Sequence, residues 1–318
     1  MDILSATTNA RPQYGVIIYP ESGLPLPVKA HTQLEIGFGN GEFTVQYAEA
    51  NPEILLYGVE ISQSCVLRCA RRSAGLYNLR LINTDARYML RELFADETLE
   101  KIIMQFPCPW SSNKQAHRRV TAKDFSDGLA AVLKVGGVFE MVSDDETYSR
   151  EVKDVLGKHE ALELTEFTIN PDRAITTKYE RKWLSEGKNI FRVCFRKHKA
   201  FTISRRTSQD MHIKIKNHVT ESQIAAFKNL TGKDATGKSF WKFGRYFINP
   251  EKNNYLLDTL TSDEEFEQKF YINILPRDEG FLIRLDKTTE AFLTPAVRAA
   301  LNDVADKLAH DQGRTTNN

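Results

Sequence analysis

Between His31 and about residue 200, short apolar runs alternate with stretches of helical spacing, and that alternation constrains the fold more than any single motif. The runs cover residues 33–36, 55–60, 79–82, 101–106, 138–142, 162–167 and 190–195. Strands that alternate with helices are joined by crossovers and build a mainly parallel sheet covered on both faces. Seven such runs, with helices expected near 123–134 and 148–158, predict a doubly wound α/β sheet. Before them, Pro12, Pro20, Pro25 and Pro27 interrupt a leading arm over 1–30, in which only Val16-Ile17-Ile18-Tyr19 reads as an edge strand. Beyond residue 200 the rhythm changes. Residues 204–210 are polar enough for a linker. A strand at 212–216, a helix at 221–230, an aromatic strand at 240–248, a hairpin at 269–275 and 280–285, and an amphipathic helix at 295–308 follow. The expected organisation is an arm over 1–30, an α/β domain over 31–200, a smaller C-terminal α+β domain over 201–310 and a disordered polar tail over 311–318.

A chain of 318 residues with 41% hydrophobic content is long enough for two such cores. It has no apolar run of eighteen residues, and Met1-Asp2-Ile3-Leu4-Ser5 lacks the pattern of a secretory signal, so no membrane association and a cytoplasmic location are expected. Cys65, Cys69, Cys108 and Cys194 do not make a disulfide framework, and no second pair completes a zinc site, so no metal is expected. Cys65 and Cys69, four apart, read as one buried helix face. A net charge of +1 excludes a uniformly basic nucleic-acid binder and leaves local patches for any phosphate contact.

The segment Leu34-Glu35-Ile36-Gly37-Phe38-Gly39-Asn40-Gly41 reads as a strand, a glycine turn and a helix start. Glycines there let the backbone pass close to a ligand, and the helix beyond offers unpaired N–H groups. The third glycine comes one residue earlier than in a dinucleotide fingerprint, which disfavours a nicotinamide cofactor and favours an adenosyl ligand without a pyrophosphate. Glu60 closes the next strand, where an acid can accept from a ribose diol, and Asp85 follows the third strand at an adenine edge. Glu35 stands before the first glycine, towards a cationic cofactor end. Each acid also reads as a strand-end cap or a solvated charge. Their recurrence at successive strand ends is what favours a nucleoside edge.

These segments, together with Gly58-Val59-Glu60-Ile61, Phe106-Pro107-Cys108-Pro109-Trp110, His117-Arg118-Arg119, Ser143-Asp144 with Tyr148, and Thr177-Lys178-Tyr179-Glu180, resemble the ordered motifs of bacterial tRNA (guanine-N7)-methyltransferases over residues 31–200. The resemblance implies a class I S-adenosylmethionine-dependent methyltransferase domain, Rossmann-like with a seven-stranded sheet. It implies S-adenosylmethionine as cofactor and a guanine in the tRNA variable loop as substrate. Glu35, Gly37, Gly39, Gly41, Glu60 and Asp85 match its cofactor-binding positions. Ser112, Arg118, Arg119, Asp144, Thr177, Lys178, Tyr179 and Glu180 match its substrate side.

Two departures stand out. Cys108 occupies the position of an aspartate that the family sets between the two prolines, and Ser112 stands where a lysine is usual. Guanine N7 carries its own lone pair and needs no deprotonation, so the protein's task is alignment and electrostatics. Methylation leaves a positive charge on the purine, and one well-placed carboxylate is worth ~3 kcal/mol against it. A cysteine thiol in ordinary surroundings is neutral at pH 7 and supplies no such charge. Glu35, Asp144 or Glu180 then has to provide it, or the chain is a relative that binds cofactor or RNA with weak or lost transfer.

For RNA, residues 173–206 hold eleven lysines and arginines against Glu180 and Glu186, interleaved with Tyr179, Trp183 and Phe191, which reads as a phosphate-binding rim or as a solvated face. Trp110 reads as a stacking surface or as core. Lys238-Ser239-Phe240-Trp241-Lys242-Phe243-Gly244-Arg245-Tyr246-Phe247 reads as a second RNA contact or as a strand packing its own small core.

Overall fold

The computed structural model describes residues 16–18, 24–110, 112–207, 211–289 and 291–310. Most of the arm over 1–30, part of the 204–210 linker and the tail over 311–318 lie outside them. The chain divides into two compact units, Met1–Ser204 and Arg205–Asn318.

The first unit runs β1 (Val16–Ile18), β2 (Thr32–Ile36), α1 (Glu42–Ala50), β3 (Leu55–Glu60), α2 (Gln63–Arg72), β4 (Leu79–Asn83), α3 (Ala86–Leu93) and β5 (Leu99–Gln105). A 3-10 turn, Asn113–Arg118, leads to α4 (Lys123–Val132), β6 (Leu133–Ser143), α5 (Glu146–Leu156), β7 (Leu162–Ile169), α6 (Lys178–Ser185) and β8 (Phe191–Lys197). All seven expected runs are strands, and Val16–Ile18 adds an edge strand beside β4. The sheet order is β1-β4-β3-β2-β5-β6-β8-β7, parallel except that β8 runs against both β6 and β7.

Central strands covered on both faces read as unbroken apolar runs, and all six residues of Leu55–Glu60 are buried. Val45 and Ala48 of α1 meet Val66, Cys69 and Ala70 of α2 over Leu56, Leu79 and Leu81. Burial pushes the Cys69 thiol up to about 12, so it acts as a small apolar core group. Asp85 caps α3 by accepting from Arg87 N–H (2.9 Å), and Asp145 caps α5 by accepting from Tyr148 N–H (2.8 Å).

The second unit comprises β9 (His212–Ile215), α7 (Glu221–Ala225), β10 (Thr231–Lys233), β11 (Ser239–Asn249), β12 (Asn254–Asp263), β13 (Phe266–Arg277), β14 (Gly280–Leu285) and α8 (Pro295–His310). Its six strands form an antiparallel sheet in the order β10-β11-β12-β13-β14-β9. Val297, Leu301, Val304 and Leu308 of α8 pack on Phe243, Leu257, Phe270 and Ile272 of one sheet face. Two sequence expectations need correction here. The helix expected over 221–230 stops at Ala225, and the chain then enters β10. Strand β12 is absent from the sequence reading because its inward positions include Thr259, Thr261 and Asp263 while Leu256 and Leu260 face outward, which blurs the period-two contrast.

Candidate active site

The chain leaves β2 first to β3 and β4 on one side, then returns to β5 and β6 on the other. In such a sheet, the crevice outside the strands' carboxyl ends at this switch point is where ligands bind. The candidate residues assemble along that edge. Gly37 follows β2, Glu60 ends β3, Asp85 follows β4, Cys108 follows β5 and Asp144 follows β6.

On the β2–β4 side, Gly37, Gly39 and Gly41 have φ of 74°, 54° and 74°, a region that favours glycine. A side chain at Gly37 or Gly39 would point into open space, whereas one at Gly41 would lie 2.2 Å from Cys69 Sγ. Gly41 therefore serves the packing of α1 on α2, and the other two form the open part of the turn. Glu60 holds that turn: its carboxylate accepts from Gly39 N–H (2.9 Å) and Ser62 N–H (2.8 Å). Asp85, besides capping α3, is paired with the Arg87 guanidinium. Its reading as a strand-end cap is thus realised in the fold.

Glu35 is 1% exposed, and its Oε2 has no hydrogen-bond partner among the described residues. Burial raises its pKa to about 8, with Glu60 adding to the rise while Thr44 and Arg173 oppose it. The buried Gln105 Nε2 also lacks a hydrogen-bond partner among the described residues. Unpaired buried polar atoms are costly, and a cation against Glu35 would relieve the largest of these costs. An open glycine turn beside a buried carboxyl group in need of a cation fits S-adenosylmethionine.

On the β5–β6 side, the loop Phe106-Pro107-Cys108-Pro109-Trp110 is fixed at both ends. Phe106 and Trp110 have φ of 51° and 46°, strained for these side chains. The Phe106 ring packs against Trp183 of α6, with centroids 4.8 Å apart, and the Arg118 guanidinium lies 5.0 Å from the centre of Trp110. Arg119 donates to the carbonyls of Pro109 (3.1 Å) and Trp110 (2.8 Å) while pairing with Glu151 (2.6 Å). Arg119 is therefore a clamp on the loop, and Arg118 covers Trp110. Cys108 is exposed at the loop's centre, and Ser112 is exposed at the start of the 3-10 turn. Asp144 is half-buried, with Lys188 Nζ at 3.7 Å.

Helix α6 begins with a capping box, in which Thr177 and Glu180 satisfy each other's backbone N–H groups. Glu180, 2% exposed, also meets Arg173 Nη1 at 2.6 Å, and Arg173 Nη2 donates to Gln105 Oε1 at 2.6 Å. Arg173 thus ties the end of β5 to the start of α6. Lys178 and Tyr179 lie on the first turn of α6, with side chains outside the described ones. The sequence reading missed this use of Arg173, having counted it among the phosphate contacts. The available signal was an arginine seven residues before a capping-box glutamate.

Seven of the eleven cations in the basic run over 173–206 meet carboxylates. Arg181 meets Glu42 (3.1 Å), Lys182 meets Glu186 (3.7 Å), and Arg192 meets Glu140 and Glu166 (3.6 and 3.4 Å). Lys197 meets Glu97 (3.2 Å) and Lys199 meets Glu160 (2.7 Å). Among the described residues, no group of three or more His, Cys, Asp or Glu side chains is placed to hold a metal ion.

A sheet ordered β4-β3-β2-β5-β6-β8-β7 with only β8 reversed, and a glycine turn after its central strand, defines the chain as a class I S-adenosylmethionine-dependent methyltransferase. A family model described as a putative methyltransferase matches residues 29–193. The tRNA (guanine-N(7)-)-methyltransferase of Thermotoga maritima is 35% identical over 289 residues, covering 88% of this chain and 90% of the relative. The enzyme of the same name from Aquifex aeolicus is 28% identical, covering 87% and 94%, and that of Coprothermobacter proteolyticus 26% identical, covering 98% and 94%. The chain belongs to the tRNA (guanine-N7)-methyltransferase family. Among the described residues, no helix is long and apolar enough to cross a membrane.

Proposed function

We propose that this chain methylates N7 of a guanine in the variable loop of tRNA, acting in the cytoplasm with S-adenosylmethionine as donor. The observation that carries the reading is the pairing, at one sheet edge, of the open glycine turn after β2 and Glu35 near the end of β2, whose Oε2 has no hydrogen-bond partner among the described residues, with the clamped loop and Asp144 after β5 and β6. Gly37, Gly39 and Gly41 with Glu60 would hold the adenosyl part, Asp85 would meet the adenine edge, and Glu35 would face the cationic end. When bound, the cofactor supplies a methyl group activated by a sulfonium.

The remaining work falls to the chain's own residues. Thr177, Lys178, Tyr179 and Glu180 on the first turn of α6, with Ser112 and Arg118 beside the proline loop, would seat the base. The rigid loop would keep N7 in line, since small errors of placement cost large factors in rate. Cys108 puts a thiol where the family has a carboxylate beside the purine. Of the three carboxylates that could replace it, Glu180 is already committed to Arg173 and Glu35 is buried on the cofactor side. Asp144, half-buried just past the strand next to β5, meets only the half-exposed Lys188 at 3.7 Å, a loose pair beside the buried Arg173–Glu180 one, and is the best placed of the three to offset the developing charge.

The test incubates the protein with methyl-labelled S-adenosylmethionine and unmodified tRNA and maps the labelled base. The expected product is 7-methylguanosine at one variable-loop position. Cofactor binding without methyl incorporation would instead support the reading of a binding protein whose transfer was lost with the Cys108 position.

A further inference from the structure

The outer face of the second unit's sheet can be laid out from its register. Residues directly paired in an antiparallel ladder point the same way. Lys233 with Phe240, Thr231 with Lys242, Leu260 and Lys269, and Phe247 with Leu256 therefore share one face. The alternate residues Trp241, Phe243, Leu257, Phe270 and Ile272 fill the core beneath α8. On the outer face Phe240 is 38% and Phe247 44% exposed. They stand about 23 Å apart along β11 at ~3.3 Å per residue.

Charge surrounds both rings. Lys233 and Lys242 flank Phe240 and have no carboxylate partner among the described residues, whereas Lys238 pairs with Glu264 (3.3 Å) and Lys269 faces Asp258 (4.0 Å). The Arg245 guanidinium lies 5.8 Å from the centre of Phe247, whose edge meets Tyr271 with centroids 5.9 Å apart. Glu267 stands two strands from Phe240. A β-sheet offering solvent-exposed rings between unpaired cations matches a chain of bases linked by phosphates. The rings stack on bases of any sequence, and the cations track the backbone. A double helix would leave the rings idle, because its bases are already stacked on one another. A protein partner is the poorer match, since lysine is depleted at the core of protein interfaces.

We propose that this face binds unpaired nucleotides of RNA, with Phe240 and Phe247 as stacking platforms and Lys233, Lys242 and Arg245 as phosphate contacts. The proposal rests on the reading of the chain as a tRNA-modifying enzyme and assigns its second unit a share of the substrate.

The test uses the full chain, unmodified tRNA and an unstructured RNA oligonucleotide as competitor. Two double variants are compared with the wild type, K233E/K242E and F240S/F247S, with K233Q/K242Q and F240L/F247L in reserve should either lose its thermal transition. The expected result for each pair is a rise in tRNA Kd of about tenfold or more. For the lysine pair, the slope of log affinity against log salt should also fall by about 1.4, at ~0.7 per single-strand phosphate contact. The oligonucleotide should compete with tRNA on the wild type and lose that ability against F240S/F247S. Wild-type Kd, salt slope and competition in both variants would overturn the proposal. A wild-type protein that binds tRNA but leaves guanine N7 unmethylated would defeat the functional reading and not the surface. An active wild type with unaltered variants would defeat the surface alone.

Discussion

Two regions of this protein look alike as strings of lysines, arginines and aromatic residues, and the fold treats them in opposite ways. In the first unit, the run over 173–206 is largely neutralised: seven of its cations meet carboxylates contributed by Glu42, Glu97, Glu140, Asp144, Glu160, Glu166, Glu180 and Glu186. In the second unit, Lys233 and Lys242 have no such partner among the described residues and stand beside exposed aromatic rings. A basic segment predicts phosphate binding only when the fold leaves its charges unspent. Six of those eight acids lie outside the run itself, so counting charges along the chain could not find them. The contrast gives the first set structural work, and the proposal above gives RNA contact to the second.

The largest expected effect comes from breaking the most buried pair. Arg173→Ala would strand Glu180 as a buried charge, and losing one partner of a buried pair costs about 3–5 kcal/mol, which lowers Tm by roughly 10 °C in a domain of this size. Methyl transfer should fall as well, because Gln105 before the proline loop and the capping box of α6 lose their shared anchor. Arg173→Lys should rescue only part of either loss, since an ammonium cannot reach both partners as the planar fork does. The salt dependence of tRNA binding should stay at its wild-type slope. A shallower slope with an unchanged Tm would make Arg173 a phosphate contact and erase the contrast.

Carboxylates divide along the same line, and Glu35 is the case with no salt-bridge partner among the described residues. Its ordinary pKa of 4.5 rises to about 8 in the fold, so between those values the folded chain holds a proton that the unfolded chain has lost. Its contribution to stability is thus complete below about pH 4.5 and disappears as pH climbs through about 8. Glu35→Gln should raise the Tm of cofactor-free protein more at pH 8 than at pH 5. A cation bound against Glu35 favours the carboxylate, so wild-type affinity for S-adenosylmethionine should increase with pH up to about 8 and release a proton on binding. Calorimetry in buffers of different ionisation enthalpy measures that proton. The Gln variant should bind more weakly and with a flat pH profile; equal affinity would remove Glu35 from the cofactor site.

Strand positions and the edge where the site forms were legible because they depend on local patterns. A central parallel strand such as Leu55–Glu60 is apolar up to its last residue, and Glu35, Glu60, Asp85 and Asp144 each fall at a strand end or within two residues of one. Partnerships were not legible, because Arg119 reaches Glu151 and Arg173 reaches Gln105 across 32 and 68 residues. Arg119 therefore reads in sequence as a substrate contact, and only the fold reveals the hydrogen bonds by which it holds the Pro109 and Trp110 carbonyls. Strand β12 escaped for a different reason. Its Leu256 and Leu260 point away from the core while Thr259, Thr261 and Asp263 point into it, and this mixture hid the alternation that marks a strand.

Cys108→Asp sharpens the comparison at the reacting base. The thiol is exposed at the centre of a loop held from both sides, so a carboxylate there requires no repacking. If Asp144 alone now offsets the purine's charge, a second acid should raise kcat by about tenfold, less than the full value of one preorganised group because Asp144 already supplies part of it. In a Cys108→Asp background, Asp144→Asn should be less damaging than in the wild type. Single-turnover methyl transfer on all four combinations measures that coupling, and strictly additive effects would separate the two positions.

The smallest effect is the most exacting for the division between paired and unpaired cations. Lys182 and Glu186 are exposed neighbours one helical turn apart, at 3.7 Å, and such pairs contribute less than about 0.5 kcal/mol. Lys182→Ala should therefore leave Tm within about 1 °C of wild type. So weak a pair could not by itself keep Lys182 from an RNA phosphate, because counterion release on binding RNA would outweigh it. An unchanged tRNA Kd would show that this stretch of α6 lies off the RNA path, as the division requires. A fivefold rise would show that RNA strips weak pairs apart, in which case only buried partners such as Glu180 would exclude a cation from phosphate contact.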